Sequence, residues 1–225
     1  MLNYSVVMAV RNGEKFIIES LESIFSQTYK AKTIFVVDDF STDMTPNILN
    51  SYKEKITILK NGKKQGQVGA LMTGLEKVST SLVSFLDADD IWHLQKQEQQ
   101  IKTMMNCGSS VVTSGVSEFF SDSKFGKIQR REILNTKLFT ASTFKKELFD
   151  SIPLKMDSGP NTWQYDWWNL ANQSKLKVCS TQTVLLYRRI HAENVLKSKN
   201  PERDQELINY FRNKLSLESQ SSDFK

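Results

Sequence analysis

Apolar and polar positions alternate from the start of the chain, Tyr4-Ser5-Val6-Val7-Met8, and the run continues to Val10, so Ser5–Val10 is predicted to be a strand. Between Lys15 and Thr28 the period changes. Ile17, Leu21, Ile24 and Phe25 recur at the i, i+4, i+7, i+8 spacing that gathers apolar side chains on one face of a helix. Thr33–Val37 is a short β-branched run and predicts a second strand. Ser41, Thr42 and Asp43 then offer caps for a helix with Pro46 in its first turn, reaching to about Lys53. Ile56–Leu59 is strand-like, and the glycine-spaced loop Asn61–Gly66 leads into a helix near Gln67–Val78. Ser81–Leu86 reads as a strand ending in Asp87-Ala88-Asp89-Asp90. Asp90 is placed to cap a further helix with apolar positions Leu94, Ile101, Met104 and Met105.

This order of elements predicts an α/β fold, with a mainly parallel sheet and helices on both faces. Past Gly108 the pattern changes. Val111–Ser114, Glu118–Phe120 and Leu138–Thr143 read as strands between polar turns, a helix carries Trp167, Trp168 and Leu170, and Val184–Tyr187 reads as a last strand. Helical spacing returns at Leu207, Ile208, Phe211 and Leu215 before the chain turns polar. No linker composition separates these parts. One domain over 1–215 is therefore expected, with halves at about 1–107 and 108–200 and a polar tail at 216–225.

With 225 residues, 39% hydrophobic and 24% charged, disordered and fibrous classes are excluded and a core needs no disulfides. Cys107 and Cys179 stand far apart and outside any C-x-x-C spacing. That argues against a zinc ribbon or a disulfide scaffold and fits a reducing compartment. No apolar run approaches the roughly 18 residues of a membrane helix, and no secretory pattern opens the chain. A cytoplasmic protein that touches a membrane only from outside is expected. The net charge of +5 raises nucleic acid as a partner, but most basic residues are interspersed with acids. The exception is Lys124–Lys146, where Lys124, Lys127, Arg130, Arg131, Lys137, Lys145 and Lys146 face the single acid Glu132. This is either a solvated surface or a contact for anionic lipid or a phosphorylated acceptor.

Two predicted strands end in carboxylates: Val36-Val37-Asp38-Asp39 and Phe85-Leu86-Asp87-Ala88-Asp89-Asp90. In an open parallel sheet, ligands bind outside the carboxyl ends of the strands. Acids gathered there repel one another unless a cation or hydrogen-bond donors sit among them. Asp87 and Asp89 can both reach one hard cation, and oxygen ligands favour Mg²⁺ or Mn²⁺ over zinc. The plainer alternative is that these acids only cap helices.

Ser5-Val6-Val7-Met8-Ala9-Val10-Arg11-Asn12-Gly13-Glu14-Lys15 resembles the opening strand and turn of glycosyltransferase family 2. So do Leu21–Tyr29 and Val36-Val37-Asp38-Asp39-Phe40-Ser41-Thr42-Asp43. Phe85–Trp92 looks like that family's metal-binding D-x-D segment. Tyr165-Asp166-Trp167-Trp168 and Tyr187-Arg188-Arg189-Ile190-His191 resemble its acidic helix start and its late motif, most like a bacterial rhamnosyltransferase-like branch.

The resemblance, which covers roughly residues 4–195, implies a GT-A fold: a Rossmann-like nucleotide-sugar half followed by a mixed acceptor half. It implies a donor site at Ala9, Val10, Arg11, Asp39, Asp87, Ala88, Asp89 and Arg188. Asp39 would meet the nucleobase, typically uracil; Asp87 would meet the ribose or the metal; Asp89 would hold Mn²⁺ or Mg²⁺ against the diphosphate. Asp166 matches the base that takes the acceptor's proton in a single inverting displacement. His191 would serve phosphate or metal, and one of Arg188 and Arg189 would face the cleft. The implied activity is a hexosyltransferase using a nucleotide-diphosphate sugar, UDP-linked by the family's habit. Its acceptor would be a saccharide or lipid-linked saccharide in bacterial capsule or other cell-surface polysaccharide synthesis. No nucleic-acid partner is implied, and contact with the inner face of the membrane would be peripheral.

The chain departs from the family at three places. Arg11 stands where many relatives carry a base-stacking aromatic, and its guanidinium plane can stack instead. Leu71-Met72 replace a usual Arg-Asn, leaving Lys63, Lys64 or Gln67 to contact diphosphate. Trp163-Gln164 precede Tyr165-Asp166 where an acidic pair is common. Rival readings are a degenerate member that binds donor without turnover, and a nucleotidyltransferase. The latter lacks a phosphate loop richer than Arg11-Asn12-Gly13. No G-x-G-x-x-G supports a dinucleotide oxidoreductase.

Overall fold

The computed structural model describes residues 2–120, 131–133, 136–156 and 162–191. Four parallel strands form one end of the sheet: β1 (Tyr4–Val10), β2 (Thr33–Asp38), β3 (Thr57–Lys60) and β4 (Leu82–Phe85). Helices α1 (Ile17–Phe25), α2 (Thr45–Ser51) and α3 (Gln67–Leu75) connect them. A two-residue strand β5 (Ile91–Trp92) follows, then α4 (Lys96–Cys107), β6 (Val111–Phe120), β7 (Arg131–Ile133) and β8 (Thr143–Lys145). The described chain closes with α5 (Leu148–Ser151), α6 (Trp163–Gln173) and β9 (Val178–Ile190). The strand order is β3-β2-β1-β4-β8-β6-β9-β5, with β7 on the edge of β6.

Alternation along β1 sorts the two faces, because successive side chains of a strand point oppositely. Tyr4, Val6, Met8 and Val10 pack with Ile17, Leu21 and Ile24 of α1, Leu49 of α2, and Ile101 and Met104 of α4. Val7, Phe35, Val83 and Phe85 pack on the other face with Val68, Leu71 and Leu75 of α3 and the tryptophans of α6. Helix α3 rides close: a Cβ on Gly74 would stand 2.5 Å from Val7 Cγ1, so only glycine lets the helix sit at that depth. Trp163, Trp167 and Trp168 are core residues, wedged among Phe139, Phe144 and Phe149; Phe139 and Trp163 lie 4.8 Å apart between ring centres.

Several expectations are corrected. Asp90 caps no helix. It is buried, its Oδ1 accepts the Arg189 amide at 3.0 Å, and β5 and a turn precede α4. Leu94 and Met105 are exposed rather than core, because α4 starts two residues after Leu94 and turns Met105 outward. Val111–Phe120 is one strand. Leu138–Ser142 is a turn closed by Ala141 N–H donating to the Leu138 carbonyl at 3.2 Å, and the strand starts at Thr143. The last strand begins at Val178, six residues earlier than its apolar stretch indicates; a break at Gln182 (φ 58°) had hidden the alternation.

The cysteines are also paired rather than isolated. Gly108, in the left-handed region at φ 64°, turns the end of α4 back toward the sheet, and Cys179 sits opposite Val112 on β9. Cys107 and Cys179 form a disulfide there, which removes the argument for a reducing compartment built on their separation in sequence. No helix among the described residues is long and apolar enough to cross a membrane. The 201–215 helix and the polar tail lie outside the described residues, as do Lys124, Lys127 and Arg130 of the basic stretch. Lys145 and Lys146 pair with Glu147 and Asp150 at 3.7 and 3.4 Å, so this end of the stretch carries mixed charge.

Under α4 lies a buried polar layer of Lys96, Gln97, Gln100, Ser84 and Thr143. Lys96 Nζ donates to Gln100 Oε1 at 2.8 Å and lies 4.3 Å from the Trp92 ring centre. Burial pushes its ammonium well below the usual range. The unfolded chain therefore holds this proton more tightly than the folded one. Stability is expected to rise with pH until the ordinary lysine value of about 10.4 is reached. Lys96→Met should flatten that rise, measured by denaturant midpoints at neutral pH and near pH 9; an unchanged slope would exonerate Lys96.

Candidate active site

The carboxyl ends of β1, β2 and β4 each deliver one part of the site. At the end of β1, Ala9 is half-buried, Val10 buried and Arg11 exposed. The loop after β1 is laced to the loop after β2. Asn12 N–H donates to Ser41 Oγ at 3.0 Å, Gly13 N–H to Thr45 Oγ1 at 2.8 Å, and Met44 N–H to Glu14 Oε2 at 2.9 Å. Asp38 Oδ1 accepts the Ser41 amide at 3.1 Å, and this turn holds Phe40 at φ 60°, an unusual backbone for an exposed aromatic.

Asp39 is buried and organises the next loop. Its Oδ1 accepts Asn61 Nδ2 at 2.6 Å and its Oδ2 accepts the Gly66 amide at 2.9 Å. The loop lies so close to α3 that a Cβ on Gly69 would strike the Lys64 carbonyl oxygen. Of the three candidates for the diphosphate contact, Lys63 is paired with Glu76 at 2.7 Å, Lys64 is exposed, and Gln67 is engaged at both ends of its amide. Gln67 Nε2 donates to Asp87 Oδ1 at 2.8 Å while its Oε1 accepts Trp163 Nε1 at 3.2 Å.

The turn after β4 is pinned from both sides. The Ala88 carbonyl accepts Ser20 Oγ of α1 at 2.9 Å, and the Asp89 carbonyl accepts Arg189 Nε at 3.0 Å. The turn therefore presents Asp87, Asp89 and Asp90 together, with one oxygen of each within 4.8 Å of the others. Burial, and next the neighbouring Asp89, push the Asp87 carboxyl up to about 7, against the pull of Arg188 and the Gln67 hydrogen bond. Burial, then the neighbouring Asp89 and Asp87, raise Asp90 well above the carboxylate range. Three carboxyl groups this close together suit a hard divalent cation, and their oxygens suit Mg²⁺ or Mn²⁺.

Strand β9 closes the cluster. Arg188 faces the acids, lowering both Asp87 and Asp90, and its Nη1 lies 3.5 Å from Glu118 Oε1 of the adjacent β6. Arg189 turns the other way, as alternation requires. It meets Glu19 Oε2 at 2.6 Å and lies between the rings of Phe16 and Phe119, each 4.7 Å away. His191 Nε2 lies 3.0 Å from Asp89 Oδ2, and its buried Nδ1 has no hydrogen-bond partner among the described residues. His93 is not part of the cluster; its Nδ1 accepts the Gln95 amide. Asp166 sits in the first turn of α6, three residues after Trp163. Glu118 and the Gln67 bridge were missed from the sequence, since their partners lie 70 and 96 positions away.

Known proteins place this arrangement. The family model described as glycosyl transferase family 2 matches residues 5–163, more than half of the chain. A UDP-Glc:alpha-D-GlcNAc-diphosphoundecaprenol beta-1,3-glucosyltransferase of Escherichia coli is 29% identical over 208 residues, covering 87% of this chain and 80% of the relative. Among solved structures, TarS 1-349 of S. aureus in complex with UDP-GlcNAc superposes with a TM-score of 0.66 at 18% identity. The match covers 88% of this chain and 62% of that one. A mannosyltransferase from Pyrobaculum calidifontis in complex with GDP-Man and Mn²⁺ gives 0.68 at 18% identity, over 86% of this chain and 58% of the other. The chain thus spans less than two thirds of these solved neighbours.

Proposed function

The chain belongs to glycosyltransferase family 2, and on that premise we propose that it moves a sugar from a UDP-linked donor to a hydroxyl of a saccharide or lipid-linked saccharide acceptor, with inversion. The observation that carries this reading is the set Asp87, Asp89 and Asp90, closed by Arg188 and His191, at the carboxyl ends of parallel strands. Helix α6 is tied to the set through Gln67.

Asp87, Asp89 and His191 are the residues that would hold Mn²⁺ or Mg²⁺. When bound, the cation neutralises the negative charge that gathers on the leaving diphosphate. Arg188 adds a fixed positive charge beside it. Ala9, Val10 and Arg11 line the base end with Asp39, whose two oxygens each keep a lone pair beyond their loop hydrogen bonds. Ala88 lies between the two metal-side carboxylates, its carbonyl held by Ser20, and would line the donor with them. Asp166 takes the proton from the acceptor hydroxyl as that oxygen attacks the anomeric carbon, and the sugar–phosphate bond breaks on the opposite side. Residues 1–107 form the donor half and 108–200 the acceptor half. The E. coli relative acts on a diphosphoundecaprenol-linked sugar, and this supports a lipid-linked acceptor in cell-surface polysaccharide synthesis, met at the inner face of the membrane.

The test is thermal stability with UDP, GDP or dTDP, each with Mn²⁺, Mg²⁺ or EDTA. A nucleotide at 100 times its Kd stabilises by about 2.7 kcal/mol, roughly 5–10 °C for a chain of this size. UDP should give this shift, and EDTA should remove it. A shift with GDP alone would overturn the UDP assignment, and no shift with any nucleotide would favour a degenerate fold member.

The cluster also sets a pH dependence. Asp87, raised to about 7, binds a proton in the folded chain that the unfolded chain has already released. Without cation, its contribution to stability is present below the ordinary Asp value of about 3.9 and is lost as pH rises through about 7. A cation needs the ionised form, so its affinity should rise by up to about tenfold per pH unit below 7 and level off above. Mg²⁺ titrations across that range check this; a flat profile would show that Asp87 is already ionised.

A further inference from the structure

Gln67 opens α3 and is exposed, yet both ends of its amide are engaged. Indole N–H can only donate, so Trp163 at 3.2 Å fixes the amide oxygen on its own side and leaves the NH₂ group to Asp87 at 2.8 Å. Three separate elements meet in this way: the turn after β4, the start of α3 and the first turn of α6. Trp163 is buried against Phe139, so a change in its hydrogen bond acts on a packed helix rather than on a loose side chain. Asp166 follows at i+3, one turn along the neighbouring surface of the same helix. Asp87 is also one of the three carboxylates that a cation at the acidic cluster would draw on. An amide is a rigid plane, so a pull on its nitrogen end is passed to its oxygen end.

Resting on the transferase reading above, we propose that Gln67 is a positioning residue that ties the helix bearing Asp166 to the carboxylate Asp87, so that the state of the cation site reaches the acceptor side. The amide neither touches the reacting atoms nor carries charge. It sets the register between two groups that do the chemistry, and it replaces a fixed covalent spacing with two hydrogen bonds that respond to the cation.

The indole N–H resonances of the whole chain, followed during titration with Mg²⁺ alone, test this. The Trp163 signal, identified by its loss in Trp163→Phe, should move. The signals of Trp92 and Trp167, which donate to the Thr140 and Ile152 carbonyls, should stay. In Gln67→Leu the Mg²⁺-dependent stabilisation should persist while the Trp163 signal no longer responds. A Trp163 signal that moves equally in Gln67→Leu, or stays still in the wild type while Mg²⁺ stabilises the protein, overturns the proposal alone. No stabilisation by Mg²⁺, with or without UDP, overturns the cation site and this proposal with it. In turnover, Gln67→Leu and Trp163→Phe should each lower kcat by about 5- to 20-fold with donor KM within about twofold, and the double variant should fall no further, because the two residues act through one bond. Losses that multiply would mean that each residue merely supports the fold.

Discussion

Asp89→Asn is expected to lower turnover by about 10³-fold or more and to erase the metal-dependent part of UDP binding, since a Lewis-acid cation supplies several kcal/mol at the leaving group and each 1.36 kcal/mol is a tenfold change. The substitution removes one negative charge from three carboxylates whose oxygens lie within 4.8 Å of one another. It also replaces an oxygen that faces His191 Nε2 at 3.0 Å with a group that cannot draw a cation as strongly. The fold should not suffer. The turn is held by backbone groups, with Ser20 on the Ala88 carbonyl and Arg189 on the Asp89 carbonyl, and neither bond involves the altered side chain. Relief of repulsion should even raise the melting temperature without cation. The measurement is a paired one, turnover with Mn²⁺ and the UDP-induced melting shift with Mn²⁺ against EDTA. An Asp89→Asn protein that keeps its EDTA-sensitive shift would move the cation away from Asp89.

Asp166→Asn is the second large effect, and it should have the opposite signature. A positioned general base contributes about 10²–10⁴ in rate, so kcat should fall by that factor. Binding of UDP with Mn²⁺ should stay within about twofold, because the donor cluster is built from β4 and β9 rather than from α6, and such a split marks a group that acts on the transition state. Asn keeps a polar side chain in the first turn of α6 and gives up the carboxylate's favourable interaction with the helix N-terminus, about 0.3–1 kcal/mol. A melting temperature close to wild type is therefore expected. A loss smaller than tenfold would take the role of base away from Asp166.

The gathering of carboxylates was legible because the chain writes them at the ends of apolar strands, where a parallel sheet leaves its crevice. Asp38-Asp39 and Asp87–Asp90 needed only the alternation of the strands before them. Arg188 and Arg189 part as alternation requires, since neighbours on a strand face opposite ways, and the ion pair with the exposed Glu19 belongs to the one facing away from the acids. What stayed illegible depends on pairing between distant positions. Nothing local in Trp163 says that its indole meets Gln67, and nothing in Glu118 says that β6 and β9 will lie in parallel register with Arg188 beside it. Nothing local marks Lys96 as buried; only the packing of α4 over Thr143 and Trp92 makes it so. Asp90 misled for a related reason. A cap and a buried acceptor for the Arg189 amide look alike until the strand that supplies the amide is in place.

That strand is the last one described, yet β9 lies inside the sheet, between β6 and β5. It brings Arg188, Arg189 and His191 to acids made about a hundred residues earlier, with Asp89 and His191 separated by 102 positions. On a ribosome, the amino-terminal strands and helices are free to collapse first, and domains do fold as their chain emerges. Until residue 191 has cleared the exit tunnel, however, the turn after β4 lacks both the counter-charge of Arg188 and one wall. The growing chain therefore carries an acidic surface with an open sheet edge beside it. Closing that edge is a late event of high sequence separation, the kind of contact that slows folding. The acidic turn then gains its counter-charge in one step, when β9 joins the sheet, and a nascent chain interrupted before β9 has an acidic patch without its closing strand.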